Sequence, residues 1–160
     1  MKTLPENDSQ IVQLSQKFYS DYNSVAYPEI LTKNARAYNA ILFQTHYDYF
    51  ICVPFRSEIK HEYSFRFKKS RRSQSHKSGL DYQKIIILKN LDYIDDKPAV
   101  VDNDEYKETC KNLEKIKHES LQFVEDYIGH HTGEKILNEK EFNRRYKFSS
   151  LQYFHTELKI

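Results

Sequence analysis

Tyr49-Phe50-Ile51-Cys52-Val53-Pro54-Phe55 is the longest apolar stretch of the chain, and Arg56-Ser57-Glu58-Ile59-Lys60-His61 follows it directly. The apolar part is far too short to span a bilayer and is rich in aromatic and β-branched side chains, so it reads as the end of a strand over Tyr47–Val53. Proline is expected to stop that strand and hand the chain to a polar loop. Working outward, Tyr38–Phe43, Tyr63–Phe67 and Lys84–Leu88 have the same strand composition, and Ile11–Leu14 makes a shorter candidate. In the third of these, Tyr63, Phe65 and Phe67 alternate with Ser64 and Arg66, which predicts one apolar and one wet face. Phe18, Tyr19 and Tyr22 recur at helical spacing instead, and Tyr27-Pro28 closes that helix.

Near Lys97 the apolar period changes. Asp102 and Glu105 resemble a capping box, followed by a helical stripe of Tyr106, Cys110, Leu113, Ile116, Ser120, Phe123 and Tyr127 that predicts one long helix stopped at Gly129. His130 to Gly133 then read as a solvated connection, Glu134–Tyr146 as a further helix, and Phe148–Phe154 as a short closing element. The 160 residues form one domain, strand-rich over 1–97 and helix-rich over 98–160, of the α+β class. With 39% hydrophobic residues it carries too much core material for a disordered chain. Cys52 and Cys110, both on apolar patterns, are expected to be buried reduced thiols. Met1–Gln10 has no basic start or apolar run of a secretory signal, which leaves the cytoplasm as the expected location.

The net charge of +2 hides an asymmetry. From Arg56 to Lys89 ten Lys or Arg face three acids, a surplus of seven positive charges, whereas Asp92 to Asp126 holds eleven acids against five lysines. The basic stretch points to a polyanion, nucleic acid first, and the acidic one to a solvated helix face on the other side of the domain. Within the basic stretch, Ser70–Ser78 reads as a mobile Ser, Arg and Lys loop.

Metal chemistry finds little here: the acids are strung along helix faces and no HxxxH or paired-Asp spacing occurs, so no metal or cofactor is expected. Gly79, Gly129 and Gly133 are the only glycines, which excludes a glycine-rich phosphate loop. The segment Pro54–His61 offers two permanent cations, a hydroxyl and an imidazole. Cleavage of RNA without metal needs a proton acceptor for the ribose 2′-hydroxyl, cations for the phosphorane and a donor for the leaving oxygen, and RNA brings its own nucleophile. The same residues also fit a plain solvated turn, or a noncatalytic RNA-binding module with Tyr38, Tyr63 and Tyr82 as stacking platforms. A scaffold for acidic partners would draw on the charge asymmetry alone.

Several segments in order carry a family resemblance. These are Gln13-Leu14-Ser15, Asn34-Ala35-Arg36-Ala37-Tyr38, Tyr49 through Ser57, Phe67-Lys68-Lys69-Ser70 and Ser78-Gly79-Leu80-Asp81-Tyr82. Over nearly its whole length the chain resembles the type III toxin–antitoxin endoribonuclease toxins of the ToxN/AbiQ superfamily, most closely the TenpN/CptN branch. The resemblance implies a small, strongly bent antiparallel β-barrel of the Kid/MazF type with helices around it, including a long one in the C-terminal half. It also implies metal-independent cleavage to a 2′,3′-cyclic phosphate and a 5′-hydroxyl, a role in phage defence by abortive infection, and inhibition by a repeated, pseudoknotted RNA antitoxin. The family's basic residue entering the early strand falls on Arg36, its loop serine on Ser57, and the following lysine on Lys60 with extra spacing. Arg56 replaces the threonine before that serine, and only Thr32 stands near the family's upstream tyrosine.

The expected catalytic set is therefore Arg36 and Lys60 on the phosphorane, Ser57 on the scissile phosphate or ribose, and His61 as acid or base. Tyr38, Arg56, Lys68, Lys69, Arg71, Arg72 and Lys77 are expected to hold RNA. Arg144 and Arg145 form a second basic patch beside Lys147, which would let a subunit that is monomeric alone bridge RNA repeats into a closed RNA–protein assembly. The bland alternative is that these arginines only complement the C-terminal end of their helix.

Overall fold

A computed structural model describes residues 9–32, 38–97 and 99–160. In chain order its elements are β1 (Ser9–Gln13), α1 (Gln16–Asp21), β2 (Asn39–Gln44), β3 (Phe50–Arg56), β4 (Ser64–Arg66), α2 (Ser73–His76), β5 (Gly79–Asp81), β6 (Ile86–Leu88), α3 (Asn103–Lys111), α4 (Leu113–Thr132), α5 (Glu139–Tyr146) and α6 (His155–Leu158). One-turn 3-10 segments occupy Tyr82–Lys84, Leu91–Tyr93 and Ser150–Tyr153. The class is α+β, as expected.

The sheet is antiparallel, ordered β1-β2-β3-β5-β4, with β6 also on β3. β3 is its hinge. Along one edge it pairs with β2 from Phe50↔Gln44 to Pro54↔Ala40; along the other it changes partner, from β6 opposite Phe50–Cys52 to β5 opposite Phe55 and Arg56. Pro54, which has no N–H to give, falls in the interval between those partners, so the strand runs through the proline and ends at Arg56 instead of stopping before it. Among the described residues no ladder joins β1 to β4, and the sheet is open, not a closed barrel. Strands β4, β5 and β6 have three residues each, too few to carry the ladder round. Strand β5 was not anticipated, because its Gly-Leu-Asp composition is strand-poor; glycine is required there, since a Cβ on Gly79 would stand 2.2 Å from the Phe65 carbonyl oxygen of β4.

Strands β2 and β3 are buried on both faces, with Ile41, Leu42, Ile51 and Val53 at the centre. Phe18 of α1 and Phe154 pack with them in the core, as do Ile116, Phe123, Val124 and Tyr127 of α4. The long helix is broken at Asn112 into α3 and α4. Its end is Gly133, whose φ of 87° makes the left-handed cap, while Gly129 lies inside α4 where the returning chain at Lys135 passes its Cα. His130 and His131 consequently belong to the last helical turn, where His130 accepts from the Leu137 N–H and stacks on Phe142.

Helix α3 is rotated from the predicted stripe. Its buried residues are Glu105 and Thr109, while Tyr106 and Cys110 are exposed, so Cys52 is the buried thiol and Cys110 is not. The cause is the partner surface. The segment Lys68–Ser78 presents the amides of Lys68, Lys69 and Arg71 and the Ser78 hydroxyl, which engage Glu108, Asp104 and Glu105 of α3 and draw in its polar face instead of its apolar one.

Candidate RNA-cleavage site

The Pro54–His61 segment leaves the sheet at the end of β3. Two non-glycine residues with positive φ, Glu58 (59°) and Lys77 (47°), face each other where this loop meets the residues before β5. Glu58 donates its N–H to the His76 carbonyl at 2.5 Å and Ile59 to the Lys77 carbonyl at 3.2 Å, and the Glu58 carboxylate meets His76 Nδ1 at 2.8 Å. Ile59, wholly buried, anchors the loop from below.

At the centre is a residue that the sequence reading did not select. Asp81 ends β5, and its side chain is completely buried. Its Oδ2 accepts from the Arg56 guanidinium at 2.8 Å; its Oδ1 accepts from the Gln83 N–H at 3.0 Å and lies 3.0 Å from His61 Nε2, off the line of a straight hydrogen bond. Burial alone would raise the Asp81 carboxyl, but the His61 ring and the Arg56 guanidinium outweigh it and hold the group below the usual carboxylate range. Asp81 thus caps the 3-10 turn behind it and aims two basic side chains in front of it. The signal that could have found it is its setting as a single acid between Leu80 and Tyr82, inside the basic stretch.

His61 accepts the Tyr63 N–H at Nδ1, at 3.1 Å, and turns Nε2 toward Asp81. Both nitrogens therefore face the protein. Arg56 is 30% exposed and keeps donors for the solvent side. Ser57 is half-buried and Lys60 exposed, and neither side chain has a partner among the described residues. Continuing the β2–β3 register by two residues sets Tyr38 across from Arg56, whose charge acts on the Tyr38 hydroxyl; burial nevertheless leaves that hydroxyl above its ordinary pKa. Arg36 lies outside the described residues. Tyr82 is buried with its hydroxyl on Glu119, and Tyr63 packs toward Phe123, so Tyr82 is closed to a base.

The basic loop is pinned, not free. Lys68 and Lys69 donate their backbone N–H groups to the Glu108 carboxylate at 2.8 and 3.0 Å, and Arg71 donates its own to Asp104 at 2.7 Å. Arg72 pairs with Asp102 at 3.1 Å, which diverts that carboxylate from capping α3. The acidic helix thus lies against the basic loop and not on the far side of the domain, because unlike charges and bare amides attract it there. Of the ten cations from Arg56 to Lys89, Arg56, Arg72, Lys84 and Lys89 have a carboxylate partner. The side chains of Lys60, Arg66, Lys68, Lys69, Arg71 and Lys77 have none among the described residues. Arg145 is held by Glu141 and Asp126, and Arg144 by Glu141, so most of the C-terminal basic patch is spent inside the fold.

Among the described residues no three His, Cys, Asp or Glu side chains are grouped to hold a metal, and no helix is long and apolar enough to cross a membrane. No family model matches the chain, and neither does any curated protein or solved structure.

Proposed function

We propose that this protein is a metal-independent, sequence-preferring endoribonuclease of the cytoplasm, a toxin of the type III toxin–antitoxin kind restrained by a repeated RNA. In this reading its bent sheet is a relative of the Kid/MazF barrel. One observation carries it: buried Asp81 holds Arg56 and His61 at the mouth of β3, beside the unpartnered hydroxyl of Ser57. In the reaction the ribose 2′-oxygen bonds to phosphorus as the bond to the 5′-oxygen breaks, giving a cyclic phosphate and a 5′-hydroxyl. Arg56, oriented from behind by Asp81, and Lys60 neutralise the extra phosphorane charge, with Arg36 a third cation by resemblance. Ser57 hydrogen-bonds the phosphate or ribose. For His61 to accept the 2′-hydroxyl proton at Nδ1, that nitrogen must first release the Tyr63 amide.

That engaged ring favours a second reading, a noncatalytic RNA-binding module on the same basic face. A single assay separates the two: RNA is incubated with the purified protein in EDTA and its ends are identified. Cyclic phosphate ends support the enzyme, and retention without cleavage supports the module. Ser57→Ala is expected to abolish cleavage while leaving the melting temperature within about 2 °C, since a half-buried hydroxyl without a partner contributes little to stability. An active Ser57→Ala protein would remove Ser57 from the site.

A further inference from the structure

Between β4 and the α3–α4 elbow lies an open groove of about 340 Å³. Five cations line it: Arg66 from β4, Lys68 and Lys69 from the loop, and Lys111 and Lys115 from the helices. None of the five has a carboxylate within ion-pair distance among the described residues. The groove's two acids are engaged elsewhere, Glu108 on the Lys68 and Lys69 amides and Glu119 on the Tyr82 hydroxyl. Five positive side chains against two negative leave the groove basic, although it is built half from the acidic segment. Lys111 and Lys115 stand four residues apart across the Asn112 break, one turn from each other on the same face. Two buried polar atoms on its β4 wall, Ser64 Oγ and Arg66 Nε, have no hydrogen-bond partner. Buried donors left open in this way call for an acceptor. Arg66 also donates to the His61 carbonyl at 3.0 Å, which ties the groove's β4 wall to the loop that carries His61.

We infer that this groove binds successive phosphates of the RNA strand as it leaves the cleavage site, with Lys111 and Lys115 as dedicated phosphate contacts; the inference rests on the endoribonuclease reading above. The acidic helical segment then contributes two of its lysines to RNA.

The test is fluorescence anisotropy with a labelled, uncleavable 2′-O-methyl oligoribonucleotide across a salt series, comparing wild type with Lys111→Gln/Lys115→Gln. Both positions are exposed, so the double variant keeps its fold, which circular dichroism verifies. Two lost single-strand contacts should lower the salt slope by about 1.4 and weaken binding. An unchanged slope in a wild type that binds RNA overturns the groove and leaves the cleavage site standing. Should wild type bind no oligonucleotide, the endoribonuclease reading falls with the groove. Tripolyphosphate as a second probe distinguishes sources: if it binds through these lysines while the oligonucleotide does not depend on them, the strand path is overturned.

Discussion

Asp81 shows how much one side chain can decide. Its carboxylate, wholly buried, receives Arg56, the Gln83 amide and the approach of His61. Asp81→Asn keeps a cap acceptor but leaves the Arg56 guanidinium without its counter-charge. The expected loss is about 2 to 3 kcal/mol by urea unfolding, below what breaking a fully buried pair costs because Arg56 is partly exposed. The sign of the pH dependence follows from the depressed carboxyl. A group whose folded pKa lies below its unfolded value of about 3.9 stabilises the protein above that value, and the benefit is lost as pH falls through the folded one. The gap between wild type and Asp81→Asn should therefore be full at pH 7 and close below about pH 4. A gap that stays constant down to pH 2 would show that Asp81 is not the acid-sensitive group.

At the scale of elements, the clamp of α3 on the basic loop has a direct readout. Glu108 is the acceptor for two consecutive amides, so Glu108→Ala should speed hydrogen exchange at Lys68 and Lys69 by about tenfold or more, with little change at Ile51 or Val53 in the central strand. Protection unchanged at Lys68 and Lys69 would mean that the sheet alone orders the loop. The meeting of β4 and β5 is tighter still. Gly79→Ala forces a methyl against the Phe65 carbonyl, and about 1 to 3 kcal/mol of stability should go with it, read as a lower urea midpoint. These elements also show where pattern reading succeeded. β2 and the centre of β3 were legible from their aromatic and β-branched composition, and α1 from its helical spacing, although α1 ends at Asp21 and not at Tyr27-Pro28. β5 and the orientation of α3 were not, because each is set by a neighbour's backbone, Phe65 in one case and the amides of Lys68, Lys69 and Arg71 in the other.

On the endoribonuclease proposal, the question for the whole molecule is how one subunit meets a long RNA. Arg144 and Arg145 are largely neutralised by Glu141 and Asp126, which agrees with their complementing the end of α5. Lys147 remains exposed, its ammonium over the Phe148 ring. Alone, the protein is expected to scatter light as a 19.3 kDa monomer. With repeated antitoxin RNA a closed assembly is expected, and Arg144→Glu/Lys147→Glu should stop it while cleavage persists; Arg145 is left in place because its ion pair with Asp126 holds α5 to α4. Assembly unaffected by that pair would dismiss the second patch.

Composition and apolar period by themselves determined the α+β class, most strands, the helical C-terminal part and the concentration of positive charge between Arg56 and Lys89. These are local properties, fixed by which side chains alternate and which recur every three or four residues. Only the tertiary structure decided that Pro54 sits where β3 changes partner, that Asp81 gathers Arg56 and His61, and that Lys111 and Lys115 face Lys68 and Lys69. Each of these depends on residues about 20 or more positions apart meeting in space. There charge pairing and amide satisfaction, which leave no periodic trace along a chain, outweigh the apolar pattern.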